Sequence, residues 1–307
     1  MKIKVGVISV LLLLVAASLH AQQRPVTSTY MFNGLALNPA YAGSLNVFSA
    51  TFVNRDQWIN VKGAPLLQSV TAHNSFASNR VGAGILMTRD QVGVHNDMGL
   101  YGSYAYKIRT GRGILAMGLQ AGFNNRQSNY SETNAFDPTD PDYINISKFS
   151  PNFGAGLYFA NPKMYLGFSV PYILENKVFD IQTDVVNSGT ESRYYYLTGG
   201  VVFDMSPLIK LSPSFLIRGQ EQVPLGWDLN GTVIFENIAY AGVSYRSGDA
   251  LVFISQFILN ENFRVGYAYD AITSPLTQYT KGTHEIMINY RIKLKNAKKD
   301  PQCPVYF

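Results

Sequence analysis

The feature of this sequence that most constrains its fold is a two-residue alternation of apolar and polar side chains, repeated along the chain after residue 21. In Glu285–Leu294, one face carries Ile286, Ile288, Tyr290, Ile292 and Leu294, and the other carries Met287, Asn289, Arg291 and Lys293. The same period recurs in Leu115–Asn124, Asn152–Phe159, Trp227–Glu236 and Phe263–Asp270. Successive side chains of a β-strand point to opposite faces, whereas a helical face repeats about every 3.6 residues. The pattern therefore predicts an all-β chain.

The first 21 residues have the pattern of a cleaved export signal. Lys2 and Lys4 precede the apolar run Val5–Ala17, and Ala21 offers a small residue before a cleavage point at Gln22. The run is shorter than the roughly 20 residues of a spanning helix, which argues against a membrane anchor. No later segment is long and apolar enough to span as a helix. A mature chain that lies in a membrane must therefore form a closed barrel.

The composition favours such a barrel in the outer membrane of a Gram-negative cell. Charged residues make up 15% of the chain, against about 25% in a typical soluble domain. The face opposite the apolar one is rich in Gly, Ser and Asn, which suits a lumen, and aromatic residues near strand ends suit a membrane girdle. The net charge of +5 includes the two lysines of the signal, and the remaining mild excess gives no reason to expect a nucleic-acid partner.

The connections between the alternating segments also fit a barrel. We count about fourteen strands between residues 45 and 294, an even number of the kind that bacterial barrels use. The short connections are Phe76–Arg80, Thr110–Gly113, Asn161–Lys163, Asp204–Ile209, Glu236–Asn237 and Asn260–Asn262. The longer ones are Arg55–Leu66, Gln91–Asp97, Arg126–Pro151, Tyr172–Ser192, Gly219–Gly226 and Ala271–Thr283, and Ser247–Ala250 is the one exception to this parity. Short periplasmic turns and long outer loops are expected of such barrels, which predicts that both chain termini are periplasmic.

Several motifs resemble one family of proteins. They are YMFNGLALNPAYAG at Tyr30–Gly43, RDQW at Arg55–Trp58, GAP at Gly63–Pro65, YAY at Tyr104–Tyr106, GLQAG at Gly118–Gly122, GYAYD at Gly266–Asp270, and the pair Cys303–Pro304 near a terminal aromatic residue. Together they resemble the PorP/SprF family of type IX secretion system proteins of Bacteroidota. The combination of NPAYAG with Arg-x-Gln-Trp is the most specific part. The resemblance extends from about Tyr30 to Phe307.

This resemblance implies an antiparallel outer-membrane β-barrel of the fatty-acid-transporter-like type. Residues 22–44 would form an N-terminal plug or hatch, although a short entry segment packed on the periplasmic rim is the alternative. The candidate plug and motif residues are Tyr30, Phe32, Asn38, Pro39, Ala40, Tyr41, Gly43, Arg55, Gln57 and Trp58. Residues 295–307 would form a periplasmic tail. The implied partners are outer-membrane lipid, secreted cargo held at the surface through its C-terminal domain, and periplasmic components of the same secretion system.

The residues give little sign of catalysis, and we predict no enzyme activity, cofactor or metal. His73 with Ser69 or Ser75, and His284 with Glu285, are interpreted as polar residues of the lumen. A metal site from His73, His95 and His284 would need loops that converge. The loop Phe136–Asp142 could bind calcium or be a stiffened surface loop. The cations Arg291, Lys293, Lys295, Lys298 and Lys299 could meet an acidic partner or anionic lipid headgroups, or could be ordinary solvated periplasmic residues.

Three charged residues on the predicted inner face, Asp228, Arg264 and Asp270, are expected to pair within a filled lumen. The leading functional hypothesis is a non-enzymatic component of type IX secretion that supports the secretion and anchoring of cargo such as adhesins, including a role in gliding motility. The alternatives are an outer-membrane transporter for hydrophobic small molecules and a lipid-modifying barrel enzyme.

Overall fold

A computed structural model describes residues 26–76, 79–130, 145–176, 191–221 and 223–293. Its strands are β1 (Phe48–Asp56), β2 (Leu66–Phe76), β3 (Val81–Val92), β4 (His95–Thr110), β5 (Gly113–Ser128), β6 (Ile146–Ala160), β7 (Met164–Val170), β8 (Tyr194–Val201), β9 (Ile209–Gln220), β10 (Val223–Phe235), β11 (Ala239–Arg246), β12 (Ala250–Ile258), β13 (Phe263–Ile272) and β14 (Thr283–Ile292). The two-residue strand Phe203–Asp204 continues β8 beyond Val202 and also pairs with β9. Among the described residues, no helix is long and apolar enough to cross a membrane.

The strands form one closed antiparallel barrel. Each strand pairs with its neighbours in sequence, and β1 pairs with β14, with Phe48 opposite Ile292. Closure leaves no exposed sheet edge along that seam, which a barrel in lipid requires because water is not there to bond the free backbone groups. The prediction of a barrel of about fourteen strands is confirmed.

The alternation in the sequence separates the outer and inner faces of the wall. On β5, Leu119 is 65% exposed while the next residue, Gln120, is 3% exposed. On β14, Ile288 is 43% exposed and Asn289 is 1% exposed. Large apolar side chains therefore point outward, where lipid solvates them, and small or polar ones point into the barrel.

The two ends of the barrel differ in their connections. At the end that we call the turn end, the strands are joined by residues 77–80, 111–112, 161–163, 205–208, 236–238 and 259–262. At the opposite end, the loop end, they are joined by residues 57–65, 93–94, 129–145, 171–193, 221–222, 247–249 and 273–282. All the long connections thus lie at one end, as the sequence predicts.

Two of the predicted long loops are wrong. Gln91–Asp97 and Gly219–Gly226 are mostly strand, since β3 and β4 pair up to Val92 opposite His95, and β9 and β10 pair up to Gln220 opposite Val223. In Gln91–Asp97, polar residues on both faces resemble a loop. Strands of a barrel can continue past the apolar band into water, where neither face needs to be apolar.

An arginine that replaces an outward-facing residue should lower the stability of the barrel most when the residue lies halfway along the strand. We expect Ile288→Arg to lower the free energy of unfolding by about 2–4 kcal/mol, and Ile292→Arg, on the same face near the turn end, by about 0–1 kcal/mol. Both side chains point outward on β14, with 43% and 37% exposure. Urea titration of the barrel in lipid vesicles measures both values, and equal losses would contradict the assigned depth.

Candidate functional site: the filled barrel interior

The chain that precedes β1 lies inside the barrel. We call Val26–Val47 the interior segment. It forms three short 3₁₀ turns, Tyr30–Phe32, Gly34–Ala36 and Pro39–Tyr41. Its largest side chains pack against inward-facing wall residues and are almost fully buried; examples are Tyr30 (2% exposed), Leu35 (1%) and Tyr41 (4%). Each fully buried large apolar side chain contributes roughly 1.5–3 kcal/mol, so this packing is a substantial source of stability.

At the loop end, a carboxylate holds the beginning of the interior segment. The backbone N–H groups of Ser28 and Thr29 donate to the two Glu285 carboxylate oxygens at 2.7 and 2.8 Å. The Ser28 hydroxyl donates to Asp270 at 2.8 Å, and Arg55 donates to that hydroxyl oxygen at 2.8 Å. Such charge-assisted bonds are roughly twice as strong as neutral ones, which makes this contact a firm anchor.

The anchor belongs to a buried chain of alternating charges, which we call the ion-pair chain. In order it contains Arg218, Asp228, Arg246, Asp270, Arg55 and Glu285, from β9, β10, β11, β13, β1 and β14. The five contacts measure 2.8, 3.1, 3.1, 2.7 and 3.1 Å. Three arginines face three carboxylates, so the chain is formally neutral. Balanced pairing of this kind is required where charges leave water, because an unpaired charge would be costly.

The NPAYAG motif occupies the middle of the barrel. Asn38 caps the turn that begins at Pro39, accepting from the N–H of Ala40 at 2.9 Å. Its amide nitrogen donates to the carbonyl of Leu157 on β6 at 2.9 Å. One side chain therefore both starts the turn, as a helix cap does, and attaches it to the wall.

Glycines in the wall make room for this motif. A Cβ at Gly118, on β5, would overlap the backbone of Pro39 and Ala40. A Cβ at Gly82, on β3, would overlap the carbonyl of Ala42. Glycine within a strand commonly marks such a close approach of another backbone. Gly118, the first residue of the GLQAG motif, is thereby explained as a counterpart of NPAYAG, whereas a Cβ at Gly122 would meet Leu100 and Tyr101 on β4.

The interior segment leaves the barrel at the turn end. The N–H of Gly43 donates to Nδ1 of His73 at 3.2 Å, and Nζ of Lys107 donates to the Gly43 carbonyl at 2.5 Å. Gly43 has a φ of +69°, a conformation that glycine adopts without strain. These contacts fix the exit of the segment into β1.

The interior segment consequently runs the length of the barrel. Val26 borders the same cavity as Asp90 and Tyr172 near the loop end, whereas Val47 joins β1 at the turn end. The even strand count does place the start of β1 and the end of β14 together. Val26, the first described residue, lies at the opposite end. Residues 1–25 and 294–307 lie outside the described residues, so the position of the two chain termini stays a prediction.

Small cavities remain between the segment and the wall. Three of them have volumes of about 60, 20 and 20 Å³. A water molecule needs about 10–15 Å³ on this measure, so these spaces hold a few waters at most. Pockets for small molecules are typically far larger, at about 300–1,000 Å³.

The predicted site residues fall into separate groups. Tyr30, Phe32, Asn38, Pro39, Ala40, Tyr41 and Gly43 all lie in the interior segment. Arg55 lies in the ion-pair chain. Gln57 and Trp58 lie in the loop-end connection 57–65, where their backbone N–H groups donate to the Pro65 carbonyl and the Thr283 hydroxyl.

Of the three charged residues predicted to face the lumen, two belong to the ion-pair chain and one does not. Asp228 and Asp270 each accept from two arginines in the ion-pair chain. Arg264 is not part of it, and among the described residues no ion pair joins it to Asp270. The two lie six residues apart on β13, about 20 Å along a strand, so pairing within that strand was impossible.

The structure disperses the candidate catalytic and metal-binding residues. His73 faces inward, as predicted, and accepts from Gly43. The prediction that His284 lines the lumen is wrong, because its position in the alternation of β14 turns it outward, where it contacts the Tyr267 hydroxyl at 2.6 Å. Glu285 points to the opposite side of β14 from His284. His95 lies at the loop end beside Ser128. Within the described ranges, no group of three or more His, Cys, Asp or Glu side chains is arranged to hold a metal ion. The signal, the acidic loop Asp137–Asp142, the tail residues 295–307 and Cys303 lie outside the described residues.

Sequence reasoning missed several members of the site. Arg218 and Arg246 could have been found, because the alternation places both on the inner face of their strands. Ile234, an apparent exception on the polar face of β10, is buried in the same apolar cluster as Phe32 and Tyr240. Ser28 and Thr29 carry no sequence signal, because their backbone N–H groups make the contact.

Comparison with known proteins adds three findings. A family model described as "Type IX secretion system membrane protein PorP/SprF" matches residues 19–290. No curated protein matches the sequence. Among solved structures, the Ralstonia pickettii toluene transporter TbuX has a TM-score of 0.51 and 11% identity over 84% of this chain and 92% of that chain.

Two further solved barrels are similar at lower scores. The CymD monoaromatic hydrocarbon channel has a TM-score of 0.47 and 11% identity, covering 84% of this chain and 91% of that chain. The Acinetobacter baumannii outer membrane protein Omp33 has a TM-score of 0.47 and 9% identity, covering 81% and 100%. At such identities, a structural likeness carries information about the fold alone.

Proposed function

Because this chain belongs to the PorP/SprF family of type IX secretion system membrane proteins, we propose that it is a non-enzymatic, plugged outer-membrane barrel that supports secretion and holds cargo at the cell surface. The observation that carries this proposal is the interior segment. It fills the barrel from one end to the other and is bonded to the wall at Glu285, Leu157 and His73. Such an interior suits a scaffold that binds proteins better than it suits an open pore.

The proposal includes an orientation. The turn end faces the periplasm, where other components of the secretion system are found, and the loop end faces outward. Long outer loops and short periplasmic turns are the usual asymmetry of bacterial outer-membrane barrels. The connections 57–65, 129–145, 171–193 and 273–282 all lie at the loop end. Binding residues are commonly carried by loops on a rigid scaffold. The two longest of these connections, 129–145 and 171–193, are the proposed binding loops for the C-terminal domain of a cargo protein such as an adhesin, and cargo held in this way would support gliding motility.

Transport of hydrophobic small molecules is the alternative function. TbuX is a toluene transporter and CymD is a hydrocarbon channel, but their likeness to this chain concerns the fold. Transport would require the interior segment to move. Its anchors at Ser28 and Thr29 oppose that movement, since both ends of the segment are tied to the wall.

Shortening one of these two binding loops tests the proposal. We expect removal of residues 131–144 to abolish most surface display of the cargo. The barrel should still fold, because the flanking strands β5 and β6 stay paired from Ser128 opposite Ile146 to Ile114 opposite Ala160. Cargo on intact cells is measured with an antibody, and barrel folding by heat-modifiable migration in gels.

A matched control removes residues 275–278, a short turn in another loop-end connection. This change should preserve cargo display better than the longer deletion does. Undiminished surface display of the cargo after removal of residues 131–144 would show that this loop does not bind the cargo.

A further inference from the structure

An apolar groove lies on the outer face of the barrel near the loop end. It has a volume of about 360 Å³ and is bordered by Phe52, Val70, Met87, Met98 and Leu100, from β1 to β4. All five side chains point outward and are 37–50% exposed. Between them, Ser69 turns its side chain inward and Gly99 has none, so backbone forms the floor of the groove.

The side of this groove nearest the loop end carries a positive charge, that of an arginine. Arg89 is also a lining residue and lies two positions beyond Met87 on the same outward face of β3. Its guanidinium donates to the amide oxygens of Asn96 at 3.1 Å and Gln91 at 3.2 Å. Both partners are neutral, and among the described residues no carboxylate forms an ion pair with Arg89. Its positive charge is therefore available to an external anion.

The outer face changes from apolar to polar at the level of Arg89. Gln68, which is opposite Arg89 on β2, donates to Asn54 on β1, the next strand, at 2.9 Å. Asn54 also donates to the carboxylate of Asp56, on the same strand, at 3.0 Å. Such a change from apolar to polar marks the depth at which lipid headgroups begin. The groove lies at acyl-chain depth, and Arg89 lies at headgroup depth.

We propose that this groove is a binding site for a phosphate-bearing, multiply acylated lipid of the outer leaflet, of the lipid A type. The apolar groove takes an acyl chain, and the planar guanidinium of Arg89 donates to a phosphate oxygen. Arginine suits this role because its fork matches phosphate geometry and is weakly hydrated. The choice of leaflet depends on the proposed outward orientation of the loop end, but not on cargo binding.

The full mature protein, purified in detergent, is incubated with monophosphoryl lipid A and examined by native mass spectrometry. We expect one retained lipid per barrel. Arg89→Gln should lower its affinity about five-fold, as loss of one exposed ion pair would. Met87→Trp should lower the affinity at least as much by filling the groove. The matched controls are Arg112→Gln, in a turn-end connection, and Met117→Trp, outward on β5; neither should change the affinity.

Two comparison lipids complete the test. Lipid A without its phosphate should bind the wild-type protein about as weakly as monophosphoryl lipid A binds Arg89→Gln. Phosphatidylglycerol should bind more weakly than monophosphoryl lipid A, because it lacks the additional chains and the sugar-borne phosphate. Equal retention by all four variants, or tighter binding of phosphatidylglycerol, would overturn the proposal. Surface display of cargo by Arg89→Gln is measured in parallel, so that failure of this site is distinguished from failure of the proposed function.

Discussion

Replacing Asp270 with asparagine is expected to destabilise the barrel by about 3–5 kcal/mol, the usual cost of removing one partner from a buried ion pair. Its carboxylate accepts from Arg55 at 2.7 Å, from Arg246 at 3.1 Å and from the Ser28 hydroxyl at 2.8 Å. The side chain is 1% exposed, so water cannot replace it. The substitution would leave three arginines facing two carboxylates in the ion-pair chain.

The matched control for this experiment is Asp249→Asn. Asp249 approaches the same Arg246 at 3.8 Å, but its side chain is 37% exposed. Removing an exposed partner should cost at most about 1 kcal/mol. Urea unfolding of both variants in lipid vesicles gives the comparison. Similar losses in the two variants would show that the ion-pair chain is not a buried, coupled unit.

Deleting residues 26–43 is expected to open the barrel to ions, whereas the intact protein should show no large, steady conductance. In the intact barrel, three of the spaces beside the interior segment have volumes of about 60, 20 and 20 Å³. Residues 26–43 include the apolar side chains from Tyr30 to Tyr41 that fill the centre. Conductance of purified protein in planar lipid bilayers measures the difference.

The deletion also removes the bonds from Glu285 to the segment, so folding of this variant must be checked by heat-modifiable migration. The variant without residues 275–278 serves as the control, because it shortens the chain outside the barrel. Large, steady channels in the intact protein would refute the plug whether or not the deleted form folds. A folded deletion variant that remains closed would also count against it.

The alternation of side chains was sufficient to predict the wall. It assigned faces correctly on β5, β10, β13 and β14, because lipid outside and a packed interior impose opposite demands on successive residues. It was less informative at strand ends. Gln91 to Asp97 looked like a loop because both faces are polar once the strand is in water, yet β3 and β4 remain paired there.

The sequence by itself determined the all-β class, the strand number and the sidedness of each strand, since all three follow from a local two-residue period. Its motifs also identified Asn38 and its neighbours as a unit. Only the tertiary structure decided how that unit is held. The contacts Ser28–Glu285 and Arg55–Asp270 join residues more than 200 positions apart, and they depend on barrel closure, which brings β1 beside β14. Arg264 lies apart from Asp228 and Asp270, because charges in a barrel pair only where neighbouring strands bring them to the same height along the barrel axis.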